Sequence, residues 1–485
     1  MTSPFQLPKF ASLQKVHIIG VCGTLMGAFA VYLQRQGIRV SGSDQCIYPP
    51  MSDVLNSAGI QVLSGYRAEN ICALGEKPDL VVIGNVIRAN NPEAREAIDG
   101  GFVYSSLPEA MEKLLLQKTR NLVVAGTHGK TTTSSLLAHC LTQCQKNPNY
   151  FIGGVSHDLP FSFQIASIDP DHLFVLEGDE YDTAFWDKVP KFNHYLPDEV
   201  ILTSVEYDHA DIYPDLDSII RAFAGLISRV RPGGRMIGCW DYSIVRDLMK
   251  QSSVPVISYG SSMQTQARFT PANVKIDVDG TRFEVLDQGQ RVDEIFIQLP
   301  GNHNILNSLS IWIQCQQLGL DMREVGQSLR SFRGVKRRQE VRGEVGGVIV
   351  IDDFAHHPTA VRETLKALKA KYSGRRMIAV FEPRSATSRR KIFQKDYASA
   401  LSEANLVFIA SPYDQTQISL NNQFSSDTLV DDLKNKGIDA FLIQSANDAV
   451  LNIAEICRPG DLVAVLSNGG FDGLIGKLLD RLQNI

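Results

Sequence analysis

A glycine-rich segment with one lysine, GTHGKTTT at residues 126–133, has the composition of a loop that binds nucleotide phosphates. The apolar run Leu122–Ala125 before it predicts a strand, and Ser134–Leu141 after it predicts a helix. In this setting glycines let backbone N–H groups approach phosphate oxygens, and the helix N-terminus adds partial positive charge. Lys130 is then suited to the β- and γ-phosphates, and the Thr131 hydroxyl to Mg²⁺.

The spacing of this loop is a variant, because the usual pattern has glycine at the position of Val124. The alternative is a glycine turn with a solvent-exposed lysine. We favour the phosphate loop because the strand, loop, lysine, threonine and helix all agree.

Carboxylates follow a second apolar run, Leu173–Glu177, in the sequence EGDEYD. Carboxylate oxygens suit Mg²⁺, and the carboxyl ends of strands in α/β sheets face the ligand crevice. Glu177 is therefore a candidate metal ligand, although a solvated acidic turn would account for some of these acids. His209, in EYDHAD after the predicted strand Val200–Ser204, is a second candidate ligand; its alternative is an ordinary surface or core histidine.

Two later segments each precede a predicted helix. In PGNHNILN, at residues 300–307, asparagine can pair with adenine through donor and acceptor groups, but capping by Asn302 explains the pattern equally well. In DDFAHHPT, at residues 352–359, two acids and two histidines could form a metal site. We favour a helix cap that contacts a ribose or a substrate.

A basic loop, EPRSATSRR at residues 382–390, could bind substrate carboxylates, because arginine pairs with them in bidentate geometry. Its alternative is a solvated helix start, and we favour binding by Arg384.

The first glycine turn, VCGTLMGA, follows a predicted strand at Lys15–Gly20. A dinucleotide fingerprint would need glycine in place of Cys22, so an NAD site is doubtful. A nucleotide pyrophosphate at the following helix N-terminus remains consistent with this turn.

Short apolar runs alternate with amphipathic stretches, which predicts α/β domains with parallel sheets. We expect three domains at residues 1–118, 119–332 and 333–485. A helix at Leu107–Arg120 closes the first domain, and a β-rich insert lies between Arg268 and Leu299. The charged stretch Phe332–Gly343 marks the second boundary.

The composition excludes several classes of protein. The 485 residues carry a net charge of −5, which argues against a broadly basic surface for nucleic acid. No apolar run approaches the ~18 residues of a membrane span, and the N-terminus lacks a secretory pattern. Eight scattered cysteines without a CxxC pair suit a reducing cytosol. We expect a cytoplasmic protein, a monomer or weak homo-oligomer, that binds neither membrane nor nucleic acid.

In this order, GTHGKTTT, EGDEYD, EYDHAD, PGNHNILN and DDFAHHPT resemble the ATP-dependent Mur ligases over nearly the whole chain. The resemblance implies an α/β fold of three domains: a Rossmann-like N-terminal domain, a P-loop ATPase central domain and a Rossmann-like C-terminal domain. It implies an amide ligase that uses ATP and Mg²⁺ and proceeds through an acyl phosphate.

Within that family, the histidine after GT and the DD..HHPT motif resemble two branches that act on UDP-N-acetylmuramate. The segments GVCGTLMGA, YPPMS, EYDTAFWDK and FEPRS resemble the branch that adds the tripeptide L-alanyl-γ-D-glutamyl-meso-diaminopimelate in peptidoglycan recycling. The alternative is the branch that adds L-alanine. More distant alternatives are folylpolyglutamate synthetase-like chemistry and a nucleotide-binding regulator without catalysis.

The resemblance also implies residue roles. It makes Lys130, Glu177 and His209 catalytic, and Thr131, Glu177 and His209 metal ligands. Residues implied to bind ATP are Gly126, Thr127, His128, Gly129, Lys130, Thr131, Thr132, His303, Asn304, Asn307 and Asp353. Residues implied to bind the UDP-sugar are Gly20, Cys22, Gly23, Thr24, Ser43 and Asp44. Residues implied to bind the acceptor are His356, Arg384 and Ser385. Some Mur ligases carry a carbamylated lysine, but Lys188 and Lys191 are left out of the site.

Overall fold

The computed structural model describes residues 7–48 and 51–483. The chain divides into two compact units. The first comprises Met1–Val205, Asp217–Tyr259 and Ser310–Ser328, and the second comprises Glu206–Leu216, Gly260–Leu309 and Leu329–Ile485. No helix in the described part of the chain has the length and apolarity that crossing a membrane requires.

The first unit opens with a five-stranded parallel sheet in the order β3-β2-β1-β4-β5. Its elements are β1 (Lys15–Ile19), α1 (Thr24–Arg35), β2 (Arg39–Asp44), α2 (Met51–Ser57), β3 (Gln61–Ser64), β4 (Leu80–Ile83), α3 (Pro92–Asp99), β5 (Tyr104–Ser106) and α4 (Leu107–Leu114). The central strands are apolar runs buried along their length, as expected of parallel strands covered on both faces.

The helix predicted at Leu107–Arg120 is shorter than expected. It ends at Leu114, a 3₁₀ turn follows at Leu116–Lys118, and Arg120 already belongs to the next strand. Leu114, Leu115 and Leu116 are all buried. A continuing helix would point three consecutive side chains in different directions, so the backbone leaves the helix to bury them together.

The second sheet of the first unit has the strand order β12-β11-β10-β6-β9-β7-β8, parallel except for β8. Its elements are β6 (Arg120–Ala125), α5 (Lys130–Gln143), β7 (Asn149–Phe151), β8 (Phe163–Gln164), β9 (Leu173–Gly178), β10 (Glu199–Leu202), α6 (Leu216–Ile227), β11 (Arg235–Cys239), α7 (Ser243–Met249) and β12 (Val256–Tyr259). The order places β6 between β10 and β9, so the segments after these three strands leave the sheet at the same edge.

Helix α5 begins at Lys130, four residues before the predicted start at Ser134. The three threonines at 131–133 have low intrinsic helix propensity, which moved the expected start towards the C-terminus. All three are buried, and tertiary packing outweighs that propensity.

An antiparallel meander in the second unit matches the predicted β-rich insert. Its strands are β13 (Phe269–Ile276), β14 (Thr281–Asp287) and β15 (Gln290–Ile297), and the helices α8 (Asn302–Gln317) and α9 (Met322–Ser331) follow.

The C-terminal sheet has six strands in the order β16-β17-β21-β18-β19-β20, parallel except for the edge strand β16. Its elements are β16 (Glu340–Val345), β17 (Val348–Asp353), α10 (Pro358–Lys371), β18 (Met377–Phe381), α11 (Gln394–Leu401), β19 (Leu406–Ala410), α12 (Ser426–Asn435), β20 (Asp439–Ile443), α13 (Ala446–Ile456), β21 (Leu462–Leu466) and α14 (Leu474–Leu482). Alternate side chains of its central strands pack into two separate apolar clusters, as in a doubly wound sheet. The predicted fold class is confirmed.

Candidate active site

The loop after β6 depends on two glycines. Gly126 has φ +135°, and a Cβ there would lie 2.2 Å from Thr203 Oγ1. Gly129 has φ +83° and is the N-cap residue of α5. Both conformations are ones that side chains rarely adopt, so the GTHG sequence allows the chain to turn sharply from strand into helix.

Residues after β10 hold this loop in place. The N–H groups of Thr127 and His128 donate to the carbonyl oxygen and Oγ of Ser204, each at 2.9 Å. The Thr203 hydroxyl donates to the His128 carbonyl oxygen at 2.5 Å. Sequence reasoning missed Thr203 and Ser204. The sequence feature that could have identified them is their position at the end of β10, the strand that pairs with β6.

Lys130 lies at the first position of α5, and its side chain is mostly buried. Its ammonium group donates to the Gly126 carbonyl at 2.7 Å and to Glu180 Oε1 at 2.9 Å. Burial acts to lower the pKa of Lys130, but Glu180 and Asp179 outweigh it and raise that pKa, so the lysine is held as a cation. Glu180, which was not among the predicted site residues, is the partner that an incoming phosphate would have to replace.

Thr131 and Glu177, two of the predicted metal ligands, are brought together. The Thr131 hydroxyl donates to Glu177 Oε1 at 2.6 Å, and the Gly153 N–H donates to Oε2 at 2.7 Å. Burial raises the pKa of Glu177. A hydroxyl and a carboxylate withdrawn from water, bonded to each other and to a backbone N–H, fit a hard divalent cation such as Mg²⁺.

Asp179 is excluded from a similar role by its partner. Lys191 donates to its Oδ2 at 2.6 Å. Burial acts to raise the pKa of Asp179, but Lys191 and Lys130 lower it to about 2. Lys191 is thus held as the ion-pair partner of Asp179.

The glycine turn after β1 carries most of the residues predicted to bind the UDP-sugar. Gly20 has φ +84°, and its N–H donates to the Ser43 carbonyl at 2.8 Å. Asp44 accepts from the N–H groups of Cys22 and Cys46 at 2.9 and 3.1 Å. The Ser43 hydroxyl points into the core and donates to Glu93 at 2.8 Å, so Ser43 contributes its backbone to this turn.

The other predicted UDP-sugar residues start α1, with Gly23 as N-cap and Thr24 as its first helical residue. The neighbouring YPPMS motif lies partly outside the described residues, which omit positions 49 and 50.

His209 lies in the second unit, within a cluster of polar side chains. It has φ +54°, and its N–H donates to Asp208 Oδ1 at 2.7 Å. The Thr387 hydroxyl donates to the same oxygen at 2.6 Å, and His356 Nε2 is 3.7 Å from Asp208 Oδ2. Burial acts to raise the pKa of Asp208, but His356 and His209 keep it well below its usual range. Sequence reasoning missed Asp208 and Thr387. Asp208 is about 150 residues from His356 and about 180 residues from Thr387 along the chain, so no local pattern connects them.

His303 and Asp353, both predicted to bind ATP, are connected through Gln339 in the second unit. The Gln339 N–H donates to Asp353 Oδ2 at 2.8 Å, and its amide nitrogen is 3.3 Å from His303 Nε2. Asn304 donates to the Pro300 carbonyl at 2.8 Å, and Asn307 to Asn304 Oδ1 at 3.4 Å. These asparagines are buried.

Arg384, predicted to bind the acceptor, is held in a defined orientation. Its guanidinium lies 4.0 Å from the centre of the Tyr413 ring and 3.3 Å from Glu382 Oε1. Ser385, the third predicted acceptor residue, accepts from the N–H of Ser388 at 3.0 Å and therefore caps the following turn. His356 is also predicted to bind the acceptor, and its backbone carbonyl accepts a hydrogen bond from the Tyr397 hydroxyl.

Three family models match the chain in sequence. They are the Mur ligase family catalytic domain at residues 15–119, the Mur ligase middle domain at 124–313 and the Mur ligase glutamate ligase domain at 337–469. Together they cover most of the chain. The chain belongs to the Mur ligase family. It is a ligase that uses ATP to form an amide bond, as the sequence predicted.

Relatives in this family align along their whole length. UDP-N-acetylmuramate–L-alanyl-γ-D-glutamyl-meso-2,6-diaminoheptandioate ligase of Escherichia coli is 38% identical, covering 96% of this chain and 98% of its own. UDP-N-acetylmuramate–L-alanine ligase of Desulfitobacterium hafniense is 31% identical, covering 94% and 97%. A crystal structure of a murein peptide ligase from Psychrobacter arcticus, 31% identical, aligns with a TM-score of 0.69 over 97% of this chain and 99% of its own.

Proposed function

We propose that this Mur ligase joins UDP-N-acetylmuramate to the tripeptide L-alanyl-γ-D-glutamyl-meso-diaminopimelate, with ATP as the energy source, in peptidoglycan recycling. The observation that carries the proposal lies at the ends of the adjacent strands β6 and β9. There the buried ammonium group of Lys130 contacts the Gly126 carbonyl, and the Thr131 hydroxyl donates to Glu177. A buried cation beside a buried anion provides one group for the γ-phosphate and one for a metal ion. The choice of tripeptide rests on identity, since the tripeptide-adding relative is 38% identical and the alanine-adding one 31%.

The chemistry follows from the poor electrophilicity of a carboxylate. Transfer of the γ-phosphoryl group from ATP to the lactyl carboxylate oxygen of the UDP-sugar releases ADP and gives an acyl phosphate. The free amine of the tripeptide attacks the acyl carbon, the C–O bond to phosphate breaks, and the amine loses a proton. The products are an amide, ADP and inorganic phosphate.

The two anionic substrates repel each other, so positive charge must lie where they meet. Lys130 supplies it at the N-terminus of α5, where the first backbone N–H groups of the helix add partial positive charge. Thr131 and Glu177 would hold Mg²⁺, which would screen the charge of the phosphoryl group there. His209 stays a predicted metal ligand.

We assign the remaining predicted residues to three groups. His303, Asn304, Asn307 and Asp353 bind the nucleoside part of ATP, and the glycine turn from Gly20 to Thr24 with Asp44 binds the UDP-sugar. Arg384 is suited to a carboxylate of the tripeptide, because Tyr413 and Glu382 fix the plane of its guanidinium. A single guanidinium can pair with one carboxylate of either acceptor, so the choice of the tripeptide rests on the sequence identities and not on Arg384.

A direct comparison of acceptors tests the proposal. Purified protein is supplied with ATP, Mg²⁺ and UDP-N-acetylmuramate, and phosphate release is measured with the tripeptide and with L-alanine. We expect kcat/KM at least tenfold higher with the tripeptide. Arg384→Lys should raise the KM for the tripeptide, since an ammonium group loses the bidentate geometry. Faster turnover with L-alanine would identify the enzyme as the alanine-adding type, and turnover with neither would refute the proposed reaction.

A further inference from the structure

A loop of the first unit connects the phosphate site to the N-terminal sheet. We call residues 182–190 the docking loop. Its base is closed by Thr183, whose N–H and hydroxyl donate to the Val189 carbonyl at 3.0 and 2.9 Å. Immediately before the loop Glu180 pairs with Lys130, and immediately after it Lys191 pairs with Asp179. Both ends of the docking loop are therefore anchored beside the phosphate loop.

The tip of the docking loop carries two aromatic residues into the N-terminal domain. The rings of Phe185 and Trp186 lie 4.6 Å apart, and Trp186 meets the Tyr104 ring edge-to-face at 5.4 Å. Both pack against an apolar cluster that includes Ile19 and Ile87. Phe185 and Trp186 are partly buried by this packing, and large aromatic contacts of this kind attach one domain to another.

The same cluster reaches the turn that we assign to the UDP-sugar. Ile19 directly precedes Gly20, and a Cβ on Gly20 would lie 3.6 Å from Ile87. Tyr66 also packs against the cluster, and its hydroxyl is 3.4 Å from Asp44 Oδ1. Trp186 is thus in packing continuity with the glycine turn through this cluster.

A buried ion triad forms the second attachment. His194 lies 2.7 Å from Glu112 Oε2 through Nδ1 and 2.9 Å from Asp187 Oδ2 through Nε2. Glu112 is on α4 of the N-terminal domain, and Asp187 is in the docking loop. Because both ring nitrogens face carboxylates, the arrangement calls for two N–H donors and hence for an imidazolium ion.

We propose that the docking loop fixes the UDP-sugar turn relative to the phosphate loop, with Trp186 and His194 as positioning residues for the UDP-sugar. This inference rests on the proposed function. We assign neither side chain a contact with a substrate. Their effect arises because a displacement of ~1 Å between reacting groups costs roughly 100-fold in rate. The phosphate loop itself is continuous with β6 and α5, so neither Trp186 nor His194 is needed to shape it.

The test compares Trp186→Ala and His194→Gln with wild type. We expect both variants to lower kcat/KM for UDP-N-acetylmuramate at least fivefold, and to leave the Kd of a non-hydrolysable ATP analogue unchanged within twofold. Trp186→Phe should restore most of the loss, because it retains a ring against Tyr104. Lys188→Ala is the matched control, since it removes an exposed ion pair with Asp182 in the same loop and should have little effect.

A merely structural role would lower the melting temperature or the active fraction and leave kcat/KM for the UDP-sugar, per active enzyme, unchanged, and that result would overturn the inference. A measurement without substrate separates this inference from the proposed function. Amide hydrogen exchange in β5 and α4 should be faster in Trp186→Ala than in wild type or Lys188→Ala. Unchanged exchange in β5 and α4 would overturn the docking role, even if the wild type turned over the proposed substrates. A wild type that does not turn over those substrates would refute only the proposed reaction.

Discussion

Lys130 is the residue on which the proposed chemistry depends most directly. Its ammonium group is buried among loop carbonyls and Glu180, where the raised pKa keeps it charged. When phosphate binds, the Lys130 ammonium group would exchange the Gly126 carbonyl and the Glu180 carboxylate for phosphate oxygens. Desolvation makes that interaction stronger than it would be in water.

We predict that Lys130→Ala lowers kcat for phosphate release by roughly a thousandfold, because a single preorganised charge-stabilising group contributes on that scale. The fold should persist, as judged by circular dichroism. Lys250→Ala is the control, because Lys250 is exposed and pairs with Asp247 on α7, away from the phosphate loop. Near-normal turnover in Lys130→Ala would contradict the assigned role.

Gly126 and Gly233 provide a second comparison at the scale of single residues. Both have positive φ, but a Cβ on Gly126 would clash with Thr203 and Ser204, whereas one on Gly233 would meet nothing within 4 Å. We predict that Gly126→Ala abolishes binding of an ATP analogue in calorimetry. Gly233→Ala should cost only about 1 kcal/mol of stability through backbone strain, with binding intact. Equal effects of the two changes would show that the close approach at Gly126 is unimportant.

At the scale of elements, several helices start at residues whose side chains cap them. His357 is the N-cap of α10: its Nδ1 accepts from the Thr359 N–H at 3.3 Å, while Nε2 donates to the Tyr207 carbonyl at 3.2 Å. Both ring nitrogens of His357 therefore have backbone partners. The sequence motif left open a metal site or a helix cap, and for His357 these contacts favour the cap.

We predict that His357→Ala lowers the free energy of unfolding by about 1 kcal/mol, the usual effect of losing an N-cap. His357→Asn should retain most of the stability, because the asparagine side chain also accepts from backbone N–H groups. Denaturant titrations of the three proteins measure the difference. A loss in the asparagine variant as large as in the alanine variant would argue against the capping role.

The ion triad of His194 makes stability depend on pH. Burial acts to lower the pKa of His194, but Asp187 and Glu112 raise it to about 9, against 6.5 as its ordinary value. Glu109 on α4 also interacts with His194, and Lys113 pairs with Glu112. Because the folded-state pKa is the higher one, the stabilisation is complete below the ordinary pKa and disappears as pH rises through about 9.

We therefore predict that the denaturant midpoint of the wild type falls between pH 7 and pH 10 by more than that of His194→Gln, which has no imidazolium to lose. The difference between the two proteins should be greatest at pH 6 to 7. Parallel pH profiles would show that His194 is not charged in the folded protein.

For the whole molecule, ligand binding and folding are thermodynamically linked. A nucleotide that binds only the folded chain at a hundredfold excess over its Kd adds about 2.7 kcal/mol of stability. We predict that a non-hydrolysable ATP analogue with Mg²⁺ raises the melting temperature of the wild type and raises that of Lys130→Ala less. Scanning calorimetry measures both, and an equal rise in the two proteins would place the nucleotide elsewhere.

The sequence by itself determined the local parts of this protein. Apolar runs of four to six residues identified the central strands of all three sheets, and the order of the motifs identified the family. The GTHGKT segment predicted its own strand, turn and helix because glycine conformations and apolar periodicity are properties of neighbouring residues.

The tertiary structure decided which residues share an environment. The shortened helix at Leu114 and the early start of α5 reflect packing that outweighs local preference. The contacts of Glu180, Ser204, Thr387 and Tyr413 could not be assigned from the sequence, because each joins residues that are tens to nearly two hundred positions apart. Hydrogen bonds and ion pairs of that kind depend on distance in space, whereas a motif records only distance along the chain.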